Sequence, residues 1–174
     1  MQRRSQVLAA TFVALALAGG CTTEKKVFEE YSKAGTQSEQ ARSGTDAEGF
    51  YVSALERARA SLGKVEQSDA LYNLGAFYRR EARFPEAERA MTESLALARE
   101  SGRFDDLAIG RRQLELARDL AALNRWHEGA PALRTLTPLV ARYPADEAAD
   151  IRLLAEVYRE RLATLGIDSR GLPE

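Results

Sequence analysis

The stretch from Ser68 to Ser101, SDALYNLGAFYRREARFPEAERAMTESLALARES, limits the fold of this chain more than any other. Leu71, Leu74, Gly75 and Tyr78 recur at three- and four-residue steps, which places them on one face of a helix. Arg83-Phe84-Pro85 interrupts that pattern. Pro85 has no amide hydrogen and a fixed φ, so it suits the first turn of a second helix. In that helix Ala87, Met91, Ser94, Leu95 and Ala98 form another single stripe, and Gly102 suits a left-handed helix end. Gly75 and Ala87 carry almost no side chain. Two antiparallel helices are therefore expected to cross closely there, with Leu74, Tyr78 and Phe84 filling the space around the contact.

Neighbouring segments echo this unit. Ala47-x3-Tyr51-x2-Ala54-Leu55 repeats Ala87-x3-Met91-x2-Ser94-Leu95 at an offset of 87 − 47 = 40. Downstream, Leu116-Ala117 and Leu120 repeat Leu74-Gly75 and Tyr78, Trp126 repeats Phe84, and Gly129 repeats Ala87, with 116 − 74 = 42 and 126 − 84 = 42. Leu154-Ala155 and Tyr158 give a further first-helix pattern at 154 − 116 = 38. The second helix of the downstream unit contains Pro131 and Pro138 and is expected to kink or split. Ala, Leu, Arg and Glu are abundant and β-branched residues sparse, which favours helix.

The pattern Leu71-x2-Leu74-Gly75-x2-Tyr78, then Ala87-x3-Met91, resembles the tetratricopeptide repeat (TPR). Leu71 stands for the family's Trp, Met91 for its Phe and Arg99 for its Pro. The period near 42 is similar to that of the longer, kinesin-light-chain type of repeat. The resemblance implies an all-α, TPR-like α-solenoid of antiparallel helix pairs, about six helices, over residues 46–166. Residues 46–61 then supply the second helix of a repeat whose first helix is missing or frayed. The helix closed by Gly166 is left without a partner as a cap, and 167–174 is a tail.

The N-terminus carries a different message. Arg3 and Arg4 precede an apolar run from Val7 to Ala18, too short for a comfortable membrane span and suited to a signal peptide over 1–20. Leu17-Ala18-Gly19-Gly20-Cys21 follows, and it resembles the lipobox of bacterial lipoproteins, with Ala18 where that family usually has Leu. The resemblance implies a diacylglyceryl group on Cys21 and cleavage before it. Ordinary cleavage after Ala16-Leu17-Ala18 and a buried Cys are the alternatives. Thr22 stands where an inner-membrane retention signal usually has Asp, which points to the outer membrane. Residues 21–45 are polar and rich in Ser, Gly, Glu, Gln and Lys, and read as a flexible tether in which Val27, Phe28 and Tyr31 could make one docking turn. With one Cys in the chain, no intramolecular disulfide forms.

Catalytic signals are missing. His127 is the only His and lies at an inter-helix turn; no phosphate-binding Gly loop, HExxH or Ser–His arrangement occurs. No enzyme activity, cofactor or metal is expected. A net charge of −1 gives no bulk electrostatic case for nucleic acid.

In TPR arrays a ligand commonly lies along the first helix of each repeat. The resemblance therefore implies a groove lined by Tyr72, Asn73, Ala76, Arg79 and Arg80, then Arg111, Leu114 and Arg118, then Arg152, Glu156 and Arg159. Arg79, Arg118 and Arg152 would form a ladder beside Tyr72, suited to an acidic segment or a carboxylate. The alternative is a solvated, salt-bridged face, since Glu81, Glu115 and Glu156 are near in sequence. The expectation is a lipid-anchored envelope adaptor on the outer membrane, facing the periplasm, that binds a protein or peptide partner. A pilotin-like assembly lipoprotein for a secretion or pilus system and an envelope enzyme are the alternatives.

Overall fold

The computed structural model describes the backbone of residues 3–40 and 44–174, and the side chains of 22–40 and 47–174. The side chains of residues 1–21, on which the signal-peptide and Cys21 expectations rest, lie outside the described residues. Among the described residues the fold is all-α, a helical repeat with no strand. Its order is α1 (Arg3–Gln40), α2 (Gly44–Ser61), α3 (Lys64–Arg80), α4 (Phe84–Ser101), α5 (Asp106–Ala122), α6 (Trp126–Arg134), a 3₁₀ helix η1 (Thr137–Arg142) and α7 (Ala145–Thr164). The chain divides into two compact units, Met1–Ala70 and Leu71–Glu174.

The first unit corrects the tether. Residues 22–40, expected to be flexible, are helical and pack on α2. The pairing is antiparallel: Tyr51 donates from its hydroxyl to Glu39 (2.8 Å), whereas Arg57, further along α2, reaches back to Glu24 (2.7 Å). Phe28 and Gly35 of α1 are buried, as are Ala47, Tyr51, Ala54, Leu55 and Ala58 of α2. A Cβ built on Gly35 would stand 2.8–2.9 Å from three atoms of the Tyr51 ring. The polar composition misleads because residues 22–40 fully bury only Phe28 and Gly35, with Val27, Tyr31 and Ala34 half-buried beside them. The missing first helix of the repeat is therefore α1. Gly35 precedes Gly75 by 40, as Tyr51 precedes Met91. The ends of α2 also precede those of α4 by 84 − 44 = 40 and 101 − 61 = 40.

The second unit repeats one turn three times. Between α3 and α4, Ala82 has φ +57° and the Arg83 amide donates to the Tyr78 carbonyl (2.8 Å). Between α5 and α6, Asn124 has φ +59° and Arg125 donates to Leu120 (2.8 Å). After α7, Gly166 has φ +68° and Ile167 donates to Leu162 (2.8 Å). The offsets are 124 − 82 = 42 and 166 − 124 = 42. This corrects the register of the last helix. Its end repeats at 42, so Tyr158 and Leu162, both 0% exposed, correspond to Leu116 and Leu120; Leu154 does not take the Leu116 place. The 38-residue echo arose because Ala and Leu recur at several helical steps along α7 and Tyr158 follows one such pair.

Small residues govern the crossings as expected. A Cβ on Gly75 would meet Met91 Cε (3.3 Å), the Ala87 carbonyl oxygen (3.4 Å) and Ala90 Cβ (3.4 Å). All five residues of the expected α4 stripe are buried, Pro85 lies in its first turn, and Gly102 closes it with φ +62°. The proline-bearing second helix is split into α6 and η1, with Pro131 inside α6 and Pro138 opening η1. That split and the docked α1 account for more helices than the six expected. Leu133, Leu136, Val140 and Tyr143 from the split segment pack with Leu114, Ala117, Ile151, Tyr158 and Leu162 in one core.

Candidate functional site

The first helices of the second unit meet along a charged seam. Arg79 of α3 pairs with Glu115 of α5, and its Nε lies 3.4 Å from Asp119 Oδ1. Arg118 donates to Glu115 (2.6 Å) and, across to α7, to Asp150 (3.0 Å). Arg111 makes a two-pronged pair with Glu147 of α7, at 2.7 and 3.0 Å. The planar fork of arginine fits this carboxylate geometry.

Asp119 is the unusual member. It is 0% exposed and neither carboxylate oxygen accepts a hydrogen bond from the described residues. Burial lifts its pKa from 3.8 to about 7; Arg79 and Arg118 oppose that rise and Glu88 adds to it. Burial in turn draws the Arg79 guanidinium below its usual value, partly offset by Asp119. The site thus holds a carboxyl that changes charge near neutral pH.

The expected groove residues separate into two groups. Arg79 and Arg118 come together through Glu115. Arg152 does not join them as a third rung: its Nε donates to a main-chain oxygen of Glu174 (2.7 Å), and Arg159 donates to the Pro173 carbonyl oxygen. Arg152 and Arg159 are thus both engaged by the C-terminal segment. Tyr72 is no open platform, because the Arg112 guanidinium lies 5.1 Å from its ring centroid and 4.2 Å from that of Phe104. Asn73 is half-buried, Arg80 exposed, and Leu114 is a core residue at 6% exposure. Arg112, which sequence reasoning missed, is 5% exposed and donates to the buried Ser94 hydroxyl (3.1 Å). Its carrier signal was faint: an arginine beside a glutamine in an apolar register.

Among the repeat-packing residues, Leu74, Gly75, Ala87, Ala117 and Gly129 are buried, while Tyr78, Phe84, Leu116 and Trp126 are half-buried. Arg83 lies 4.4 Å over the Tyr78 ring, and Trp126 meets Tyr158 edge-on at 5.0 Å. His127 is 64% exposed beside Glu128. Among the described residues no group of three or more His, Cys, Asp or Glu is placed to hold a metal ion, and no helix is long and apolar enough to cross a membrane. No family model, curated protein or solved structure matches the chain.

Proposed function

We propose that this protein is a lipid-anchored, TPR-like adaptor of the bacterial cell envelope, held at the outer membrane through Cys21 and binding a protein partner. The observation that carries the reading is the recurrence of one hairpin register, with glycine or alanine at each close crossing, behind a lipobox-like Cys21. Such repeats present ordered helical faces, and this chain adds a seam of arginines and carboxylates along three of them. An acidic partner segment would exchange for Asp150 on Arg118, since the Asp150 side chain is 64% exposed. Binding of that kind weakens with salt, because exposed pairs are screened over about 8 Å at physiological ionic strength.

The helical residues 22–40 bear on the mode of anchoring. Glu24, which holds Arg57, follows Cys21 by only 24 − 21 = 3 residues. Acyl chains on Cys21, each contributing about 0.8 kcal/mol per buried CH₂, would keep the α1–α2 pair against the bilayer surface instead of on a long leash. Fractionation tests the anchor. Wild type is expected in the membrane fraction with incorporated labelled fatty acid, and Cys21→Ser is expected to lose both. A Ser variant that still sediments with membranes, beside a wild type that takes no label, would sink the proposal. Crosslinking in intact cells then identifies the partner.

A further inference from the structure

The segment after α7 behaves as a peptide lodged on the protein. The turn at Gly166 matches those at Ala82 and Asn124, each of which leads into a second helix. Here residues 167–174 form no helix. Residues 167–174 run back over α6, η1 and α7, with Gly171 at φ +78° bending them. At the close-crossing position, Gly75 and Ala117 are succeeded by 117 + 42 = 159, an arginine. A side chain of that size leaves no room for a second helix at the usual distance, and its guanidinium binds the segment instead.

The contacts are those of main-chain recognition. Arg134 donates to the carbonyls of Asp168 (2.7 Å) and Arg170 (3.0 Å), and Thr137 to that of Gly171 (2.7 Å). Arg159 donates to the Pro173 carbonyl oxygen and Arg152 to a main-chain oxygen of Glu174. Five main-chain oxygens are thus held by side chains from the body. Only two side chains of the segment are deeply sunk, Leu172 (4% exposed) and Pro173. Leu172 joins the core cluster, and a following proline disfavours helical backbone at that residue. Between Thr137, Val140 and Arg152 on the body and Leu172 and Glu174 on the segment, a cleft of about 360 Å³ stays open. A longer ligand has space there.

We propose that the face formed by α6, η1 and α7 is a binding surface for an extended partner peptide carrying an apolar residue followed by proline, and that residues 167–174 occupy it in cis until such a peptide replaces them. The carbonyl contacts supply affinity without regard to sequence, and the Leu-Pro seat supplies selectivity. This surface is distinct from the α3–α5–α7 seam and does not depend on lipid anchoring.

A specific-protease site inserted between Ile167 and Asp168 of the full chain tests it. After cutting, a fluorescein-labelled peptide with the sequence of residues 168–174 is added and its anisotropy followed. The cut protein is expected to keep its helical circular dichroism and bind the probe at least tenfold more tightly than uncut protein. A probe carrying Leu172→Asp and Pro173→Asp is expected to bind at least tenfold more weakly, as is the normal probe to a cut Arg134→Ala/Arg159→Ala variant. Loss of helix on cutting would show that the segment is an integral part of the core and overturn the proposal. So would a cut segment that never exchanges, or equal uptake of both probes. A dimer held by exchanged segments in size-exclusion chromatography would assign the surface to a second copy and also overturn it.

Discussion

The repeat from Lys64 to Ser101 and the one from Asp106 to Arg142 share a register of 42 residues, the same turn, and the same ion pair after it. Arg83 holds Glu86 at 3.0 Å, and Arg125 holds Glu128 at 2.6 Å. Their interiors differ. Phe77 becomes Asp119, both buried, and Ala87 becomes Gly129. The unbroken α4 becomes α6 and η1. A turn and a crossing can therefore be inherited intact while the material around them is replaced. One replaced position, Gly129, is where the second repeat meets Tyr158 of α7, and the other, Asp119, is where it meets Arg79 of α3.

Gly129 gives the largest test of that difference. A Cβ there would lie 1.9 Å from the Tyr158 hydroxyl oxygen, which donates to the Ala117 carbonyl at 2.6 Å. Tyr158 is 0% exposed and has no space to retreat into. Gly129→Ala restores the residue found in the first repeat and adds helix propensity, yet it is expected to destabilise by about 2–3 kcal/mol through overpacking. Gly75→Ala, whose Cβ would meet neighbours at 3.3–3.4 Å, should lie within about 1 kcal/mol of wild type, as propensity offsets the crowding. Equal melting temperatures for the two variants would show that the crossings are interchangeable after all.

Much of this was legible in the sequence because it depended on small residues at fixed spacing. Gly75, Ala87, Ala117 and Gly129 mark where backbones approach, and Pro131 and Pro138 mark where a helix breaks. Two features were hidden for physical reasons. Residues 22–40 of α1 fully bury only Phe28 and Gly35, so hydrophobic periodicity there is weak; only the 40-residue echo of Gly75 in Gly35 signalled it. The seat of residues 167–174 is built on backbone carbonyls, which every sequence possesses. The arginines were visible, but an arginine four residues from a glutamate reads the same whether it faces solvent, a neighbouring helix or a peptide.

Asp119 offers a smaller effect that depends on pH. Its folded pKa of about 7 lies above the ordinary 3.8, so between those values the folded chain keeps a proton that the unfolded chain releases. Stability from this group is complete below about pH 4 and is lost as pH rises through 7. Asp119→Asn should match wild type near pH 4 and exceed it by about 1–2 kcal/mol at pH 8, because no carboxylate lacking a hydrogen bond is then buried. The first repeat, with Phe77 at this place, carries no such dependence. A wild type whose denaturation midpoint is unchanged from pH 5 to pH 8 would refute the titration.

Pro131 gives the smallest effect and asks what holds α6 apart from η1. It occupies the place of Arg89 in the unbroken α4, by 131 − 42 = 89. Lacking an amide hydrogen, it leaves the His127 carbonyl without its helical donor. Yet α6 continues past it to Arg134, and the chain breaks only before Thr137. Leu136 at that break is 0% exposed, and Tyr143 beyond it donates to the Leu107 carbonyl at 3.0 Å across the buried Gly110. A continuous helix would rotate by about 100° at each added residue, and a side chain's direction follows that rotation. Fusing α6 to η1 would therefore turn Leu136, Val140 or Tyr143 out of the core. Packing, more than the proline, should hold the break. Pro131→Ala is then expected to stabilise by no more than about 1 kcal/mol, well short of the roughly 3 kcal/mol that separates Pro from Ala in a helix interior. Amide exchange at Thr135 to Thr137 should stay as fast as in wild type. A gain near 3 kcal/mol with slowed exchange across those residues would mean that the proline alone split the helix and so opened the seat for residues 167–174.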